Sequence, residues 1–142
     1  EAGRRVTASG MKLSMMIILG LAGAEGSERH ALATAKAINI IKPTHLSALC
    51  LMLYRGSELL DQYEAGKFNP LSPAGLMREL KLIIENIDLP ADRHCLFRSN
   101  HVSNYVQLAA TLPHDKQRLL RDIDYSIAQL SKLKSWDVYN HN

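Results

Sequence analysis

Cysteine is scarce in this chain. Only Cys50 and Cys95 occur in 142 residues, 45 positions apart. That excludes a disulfide-built scaffold. Metal-ligand spacing is missing too: none of His30, His45, His94, His114 and His141 pairs with another His or a Cys at a usable interval. His94 and Cys95 are adjacent, and neighbours on a strand point to opposite faces. Long apolar runs are absent. The longest, Met15–Leu19 with its neighbours, is strand-sized, whereas a membrane span needs about 20 residues. No basic stretch followed by an apolar one opens the given sequence, so a secretory leader is not expected from it, and a cytoplasmic location is expected. The opening, Glu1-Ala2-Gly3-Arg4-Arg5, has no initiator Met and reads like the end of a helix already in progress.

Charge of one sign is lacking as well. Residues 1–71 carry 8 basic and 6 acidic groups, and residues 72–142 carry 9 and 8. The net charge is +3, and only 6% of residues are aromatic. A pI of about 9.0 without a basic cluster or interleaved aromatics argues against a nucleic-acid surface. There is no nucleophile elbow, no P-loop and no GxGxxG fingerprint. What is present is ordinary globular composition, 46% hydrophobic and 22% charged. That is enough for one domain with a real core.

The patterning alternates between two periods. Leu13–Leu19 is a near-continuous apolar run, which predicts a strand buried on both faces. Met15 and Met16 within it read as core filling. Gly20–Gly26 follows as a loop, and Ser27 is the expected N-cap of a helix running to about Lys42. Ala31, Ala35 and Ile38 mark that helix's buried face, with Leu32 beside them. Pro43 stops it. His45–Leu53 is a second apolar strand, in which Cys50 reads as a buried, inert thiol. A short helix over Glu58–Ala65 ends at Gly66. Ser72-Pro73 is a strong helix start, and Leu76, Leu80, Ile83, Ile84 and Ile87 repeat behind it at helical spacing. Cys95–Phe97 is a third, short strand. Pro113 opens a last helix with Leu119, Leu120, Ile123, Ile127 and Leu130 on one face. The tail from about residue 134 is polar.

Strand, helix, strand, helix, short strand, helix implies an α/β fold with a parallel sheet. Ligands of such sheets sit beyond the C-terminal strand ends. That rule nominates Gly20–Gly26, Tyr54–Ser57 and Arg98–Asn104 for one rim. Glycines at Gly20, Gly23 and Gly26 would let backbone N–H groups approach an anion at a helix start; a tight strand-to-helix turn needs the same glycines. Arg98, Ser99, Asn100, His101 and Asn104 form a dense polar cluster. Arg98 could clamp a carboxylate or phosphate, and His101 could move a proton near neutral pH. The same Ser and Asn residues could equally satisfy the backbone of a turn.

Four phrases carry a resemblance. "GMKLSMMIILGLAG", then Ser27 and His30, then "LMLYRGSEL", then "FRSNHVSNY" followed by "LPHDK" resemble a family of radical S-adenosylmethionine (SAM) proteins described as Fe–S oxidoreductases. The resemblance covers roughly residues 1–130. It implies a partial (βα)6 TIM-type barrel, with Leu13–Leu19 as fifth strand and His45–Leu53 as sixth. Ile18 and Gly20 match the Ile and second Gly of that family's GxIxGxxE motif, while Met16 and Gly23 stand at its first Gly and its Glu. By the same resemblance Ile18, Gly20, Leu21, Gly23, Leu51 and Leu53 belong to the SAM pocket, and Arg98, Ser99, Asn100, His101 and Asn104 to the substrate rim. A [4Fe–4S] cluster in such proteins needs a CxxxCxxC loop, and this chain has none. The resemblance therefore implies the C-terminal half of a barrel, inactive alone, whose cluster and SAM are held by a parent protein. Its expected partners are the missing N-terminal half, an unidentified small-molecule substrate and, through the exposed edge strand, a second copy. The other reading open from the residues is a small α/β anion- or nucleotide-binding module using Gly20–Gly26.

Overall fold

The structure is a computed structural model that describes residues 1–132; the expected polar tail, 134–142, lies outside the described residues. The chain runs α1 (Ala2–Ala8), β1 (Ser14–Leu19), α2 (Gly23–Ile41), β2 (His45–Cys50), α3 (Glu58–Glu64), α4 (Pro73–Asn86), β3 (Cys95–Ser99), β4 (Leu108–Leu112) and α5 (Lys116–Leu130). The fold class is α/β, as expected. One four-stranded sheet has the order β1-β2-β3-β4. The first three strands are parallel, and β4 returns antiparallel to β3.

Local chemistry sets the helix ends. Gly10 continues past α1 at φ +81, a conformation that costs glycine little. Lys42 takes a left-handed cap at the end of α2, and Pro43 prevents continuation. Ser72 Oγ accepts the Gly75 N–H at 3.1 Å, with Pro73 at the first position of α4. Gly66, at φ +69, follows the end of α3.

The strands connect in sequence, and α2, α4 and α5 pack side by side as one layer. They cover one face of the sheet. Ile17, Leu19, Leu46, Ala48, Phe97, Ala110 and Leu112 point into that layer. Ala31, Ala35 and Ile38 of α2, Leu76, Met77, Leu80 and Ile83 of α4, and Leu119 and Ile123 of α5 meet them. Each large side chain buried this way contributes about 1.5–3 kcal/mol.

The expected two-faced burial of the first strand is not observed. Ser14, Met16 and Ile18 are exposed, while Ile17 and Leu19 are buried. Met16, expected in the core, is 71% exposed. The reason is topological: successive crossovers to adjacent strands keep their helices on one side, so alternate residues face outward. Leu32 is likewise exposed, off the buried stripe of α2. The loop after β1 is shorter than expected, because α2 begins at Gly23 and not after Ser27. β2 ends at Cys50, three residues early. Arg98 and Ser99 belong to β3, and the helix expected from Pro113 starts at Lys116. Helix α1 agrees with the opening read as the end of a helix, whereas strand β4 is not foreseen as an element.

Candidate functional site

The connection from β1 to α2 is only Gly20–Ala22. Gly20 sits at φ +82, and a Cβ there would lie 2.7 Å from Leu76 Cδ2. The backbone there favours glycine, and a Cβ would make the Leu76 side chain shift. The N–H of Gly20 donates to Glu79 Oε1 at 2.8 Å. Glu79 rises from α4 and is buried. Ser27 Oγ donates to Glu79 Oε2, and His30 Nδ1 lies 3.1 Å from Oε1. Ser27 is thus not an N-cap; it sits inside α2 and faces the carboxylate. A buried carboxylate is expensive unless hydrogen-bonded, and here three groups from one turn and one helix satisfy it.

Three backbone donors of the glycine loop are engaged within the chain. Gly23 N–H donates to Gly20 O at 3.0 Å, and Ala24 N–H to Asn69 O at 2.7 Å. With Gly20 N–H on Glu79, the tight-turn role of these glycines is the one the hydrogen bonds describe.

The polar cluster has an architectural half. β2 and β3 pair only from His45↔Leu96 to Ser47↔Arg98. Beyond that point Asn104 takes the place of a strand. Its Nδ2 donates to Ala48 O and to Ser99 Oγ, both at 2.7 Å. Its Oδ1 accepts the Cys50 N–H at 3.0 Å, and Ser103 Oγ shares that N–H at 3.1 Å. One carboxamide presents the donor and acceptor that a β3 residue would have offered. The Ser103 N–H donates to His101 Nδ1 at 3.2 Å, and Ser103 Oγ lies 2.9 Å from the same nitrogen. Asn104 and Ser99 therefore serve the sheet, while Asn100 and His101 remain exposed. Arg98 is exposed on the open face and donates to Phe97 O at 2.7 Å.

A cavity of about 180 Å³ opens at the C-terminal ends of β1 and β2. Ile18, Leu49, Leu51, Met52 and Tyr54 form its largely apolar wall, and His101 and Ser103 stand at its polar side. Of the expected pocket residues, Ile18 and Leu51 meet here, joined by His101 from the expected rim. Gly20, Leu21, Gly23 and Leu53 do not line it, nor do Arg98, Ser99, Asn100 and Asn104. Gly20 and Gly23 lie instead in the turn that Glu79 and Asn69 hold.

Glu79 was missed by sequence reasoning. A signal existed: it lies three residues after Leu76 and four before Ile83, on the apolar stripe of α4. Tyr54 and Ser103 fall inside the nominated rim segments Tyr54–Ser57 and Arg98–Asn104 and do line the cavity, although no periodicity singles them out.

Both cysteines are buried and free. Burial pushes each thiol up to about 11; Glu79 adds to the rise at Cys50. Two cysteines, outside any cluster of three ligating side chains among the described residues, fall short of the set that holds an iron–sulfur cluster. Among the described residues no group of three His, Cys, Asp or Glu side chains could hold a metal ion, and no helix is long and apolar enough to cross a membrane. Compared with family models, curated proteins and solved structures, the chain matches none of them.

Proposed function

We propose that this chain is the C-terminal portion of a radical SAM enzyme, supplying part of the SAM pocket and part of the substrate rim. One observation supports the reading above others: an apolar cavity lies at the C-terminal ends of two adjacent parallel strands, and the sheet face beside it carries no helix. A βα barrel is built this way, with helices outside and ligand over the strand ends. A doubly wound sheet carries helices on both faces. In this reading β1 and β2 are the fifth and sixth strands of a partial (βα)6 barrel, and the phrase around Asn104 is its C-terminal signature.

The chain's own residues then have distinct duties. Ile18, Leu49 and Leu51 offer an apolar wall to a flat heterocycle. Glu79 holds the Gly20 turn in place behind that wall. His101 and Arg98 are the exposed groups able to move a proton or meet an anionic substrate group. The cavity is smaller than the 300–1,000 Å³ range of complete ligand sites, which suits a pocket shared with another half. The iron–sulfur cluster does not fit this chain, so the reading assigns it to the partner half, together with the electron it would supply.

The test is nuclear magnetic resonance of the isotopically labelled chain titrated with SAM. Weak, saturable shifts centred on Ile18, Leu49, Leu51 and His101 are expected. Absence of shifts at those residues, or cluster assembly and SAM cleavage by the chain alone after anaerobic reconstitution, would overturn the reading.

A further inference from the structure

The parallel strands have a second end. The cavity described above opens at the C-terminal ends of β1 and β2. At the N-terminal ends of β2 and β3 lies a separate, larger cleft of about 450 Å³, lined by Lys42, Thr44, Pro90, Asp92, Arg93 and His94. One wall is the turn from α2 into β2, and the other is the loop from α4 into β3. The two cavities share no residue.

Each wall of the cleft brings one cation. Lys42 and Arg93 are both half-buried, and neither has a carboxylate within ion-pair reach. Among the described residues the ion pairs belong to His30, Lys81 and Arg118, and neither Lys42 nor Arg93 donates a side-chain hydrogen bond. Lys116 shows the contrast: its ammonium is spent on Glu85 O and Ile87 O. Thr44 Oγ1 is spent as well, donating to Leu13 O and accepting the Leu13 N–H. The free donors of the cleft are therefore Lys42, Arg93 and His94. The His94 ring stacks on His114 with centroids 5.0 Å apart, which fixes its orientation. Asp92 is the one acid in the lining, and it leaves a surplus of positive charge.

This arrangement costs stability. A partly desolvated charge without a partner is unfavourable. Lys42 carries a second cost, because it sits at φ 54, and no other non-glycine among the described residues has a positive φ. Glycine is the usual residue at such a helix end. It would close α2 without strain, but it would bring no charge to the wall.

We infer that the cleft binds a phosphorylated small molecule, with the phosphate held between Lys42 and Arg93. The planar guanidinium takes two phosphate oxygens, and the ammonium, a point charge, meets a third. Two cations balance a dianion, whereas a carboxylate would leave one of them uncompensated. Two cations are also too few for the multiple phosphate contacts that hold a nucleic-acid backbone. The volume lies within the 300–1,000 Å³ range of small-molecule sites, so there is room for the body of the ligand, with Pro90 as an apolar contact. The inference is independent of the functional reading, which concerns the opposite ends of the strands.

The experiment is nuclear magnetic resonance of the labelled full chain, titrated at constant ionic strength with inorganic phosphate, ribose 5-phosphate and acetate. Saturable shifts at Lys42, Arg93 and His94 are expected with both phosphates, at lower concentration for ribose 5-phosphate, and none that saturate with acetate. Lys42→Gly, which keeps the left-handed turn, and Arg93→Gln should each weaken ribose 5-phosphate about tenfold, the scale of a charge-assisted hydrogen bond. Asp92→Asn should tighten it. Lys67→Gln, which removes the same charge from another loop, should leave it unchanged, and circular dichroism should be the same for all four variants. Shifts that do not saturate, an equal affinity for acetate, or a Lys42→Gly or Arg93→Gln chain that binds as tightly as wild type would each overturn the proposal. Ile18, Leu49 and Leu51 are read in the same spectra, so failure here and failure of the SAM titration are distinguishable.

Discussion

Glu79 Oε1 accepts the backbone N–H of Gly20 at 2.8 Å, across 59 residues of sequence. The contact ties the middle helix of the layer to the turn at the end of the first strand. The same carboxylate engages Ser27 and His30 of the next helix, so one side chain fixes the junction of three elements.

Replacing it should therefore be costly. Glu79→Ala leaves the Gly20 N–H, Ser27 Oγ and His30 Nδ1 without their acceptor in a buried place. A loss of about 1–3 kcal/mol for each buried donor left unpaired is expected. Glu79→Gln keeps one acceptor and should lose less. Urea denaturation of the three proteins measures both, and equal stability of wild type and Glu79→Ala would contradict the assigned role.

Asn104 should behave as a piece of sheet. Asn104→Ala removes both bonds to β2, and a loss of about 1–3 kcal/mol is expected for the buried groups left unpaired. The diagnostic readout is local: the Cys50 amide should exchange with solvent much faster, while amides in β1 and α2 keep their protection. Asn104→Asp retains the acceptor for Cys50 and loses the donor to Ala48, so it should protect the Cys50 amide more than alanine does. Unchanged exchange at Cys50 in the alanine variant would refute the surrogate-strand account.

The thiols make an alkaline prediction. In the unfolded chain they ionise near 9.0, and in the folded chain near 11. A raised folded value supports the fold fully below 9.0, and that support is lost as pH rises through about 11. Thermal melts should therefore fall across that interval, and a Cys50→Ala/Cys95→Ala variant should show a flatter decline. Alkylation by iodoacetamide at neutral pH should be slow until the protein is unfolded.

Asp115 makes the acid counterpart. The Thr111 N–H, and after it Arg118, holds its carboxyl below the ordinary 3.8. A depressed folded value supports the fold above 3.8 and stops doing so as pH falls through the folded value. The melting-temperature gap between wild type and Asp115→Ala should be widest near neutral pH and should close in acid. A gap that stays constant into acid would show that the hold of Asp115 on Thr111 does not depend on the charged form.

Much of the architecture was legible in the residues. Ser72-Pro73, Lys42-Pro43 and Gly66 punctuate the chain through backbone rules that act within a few positions. The apolar stripes of α2, α4 and α5 follow from helical period alone. β4 escaped because Leu108–Leu112 is a short run of Leu, Ala and Thr with weak strand character, and its strand conformation depends on pairing with β3. The apolar run at Met15–Leu19 suggested burial on both sides, since hydrophobicity says that a side chain can be buried but not that a partner exists to bury it.

The candidate site divides along the same line. Sequence by itself determined an α/β chain with parallel strands, a cysteine count one short of a CxxxCxxC cluster loop, and a polar segment at the end of the third strand. Tertiary structure alone decided what those polar groups do. It turned Asn104 into a stand-in for a strand, gave the glycine turn an internal carboxylate, and brought Lys42 and Arg93 to one cleft. The physical reason is range: caps and periods are settled by neighbours in sequence, whereas a hydrogen-bond partner for a backbone group is chosen only when distant segments meet.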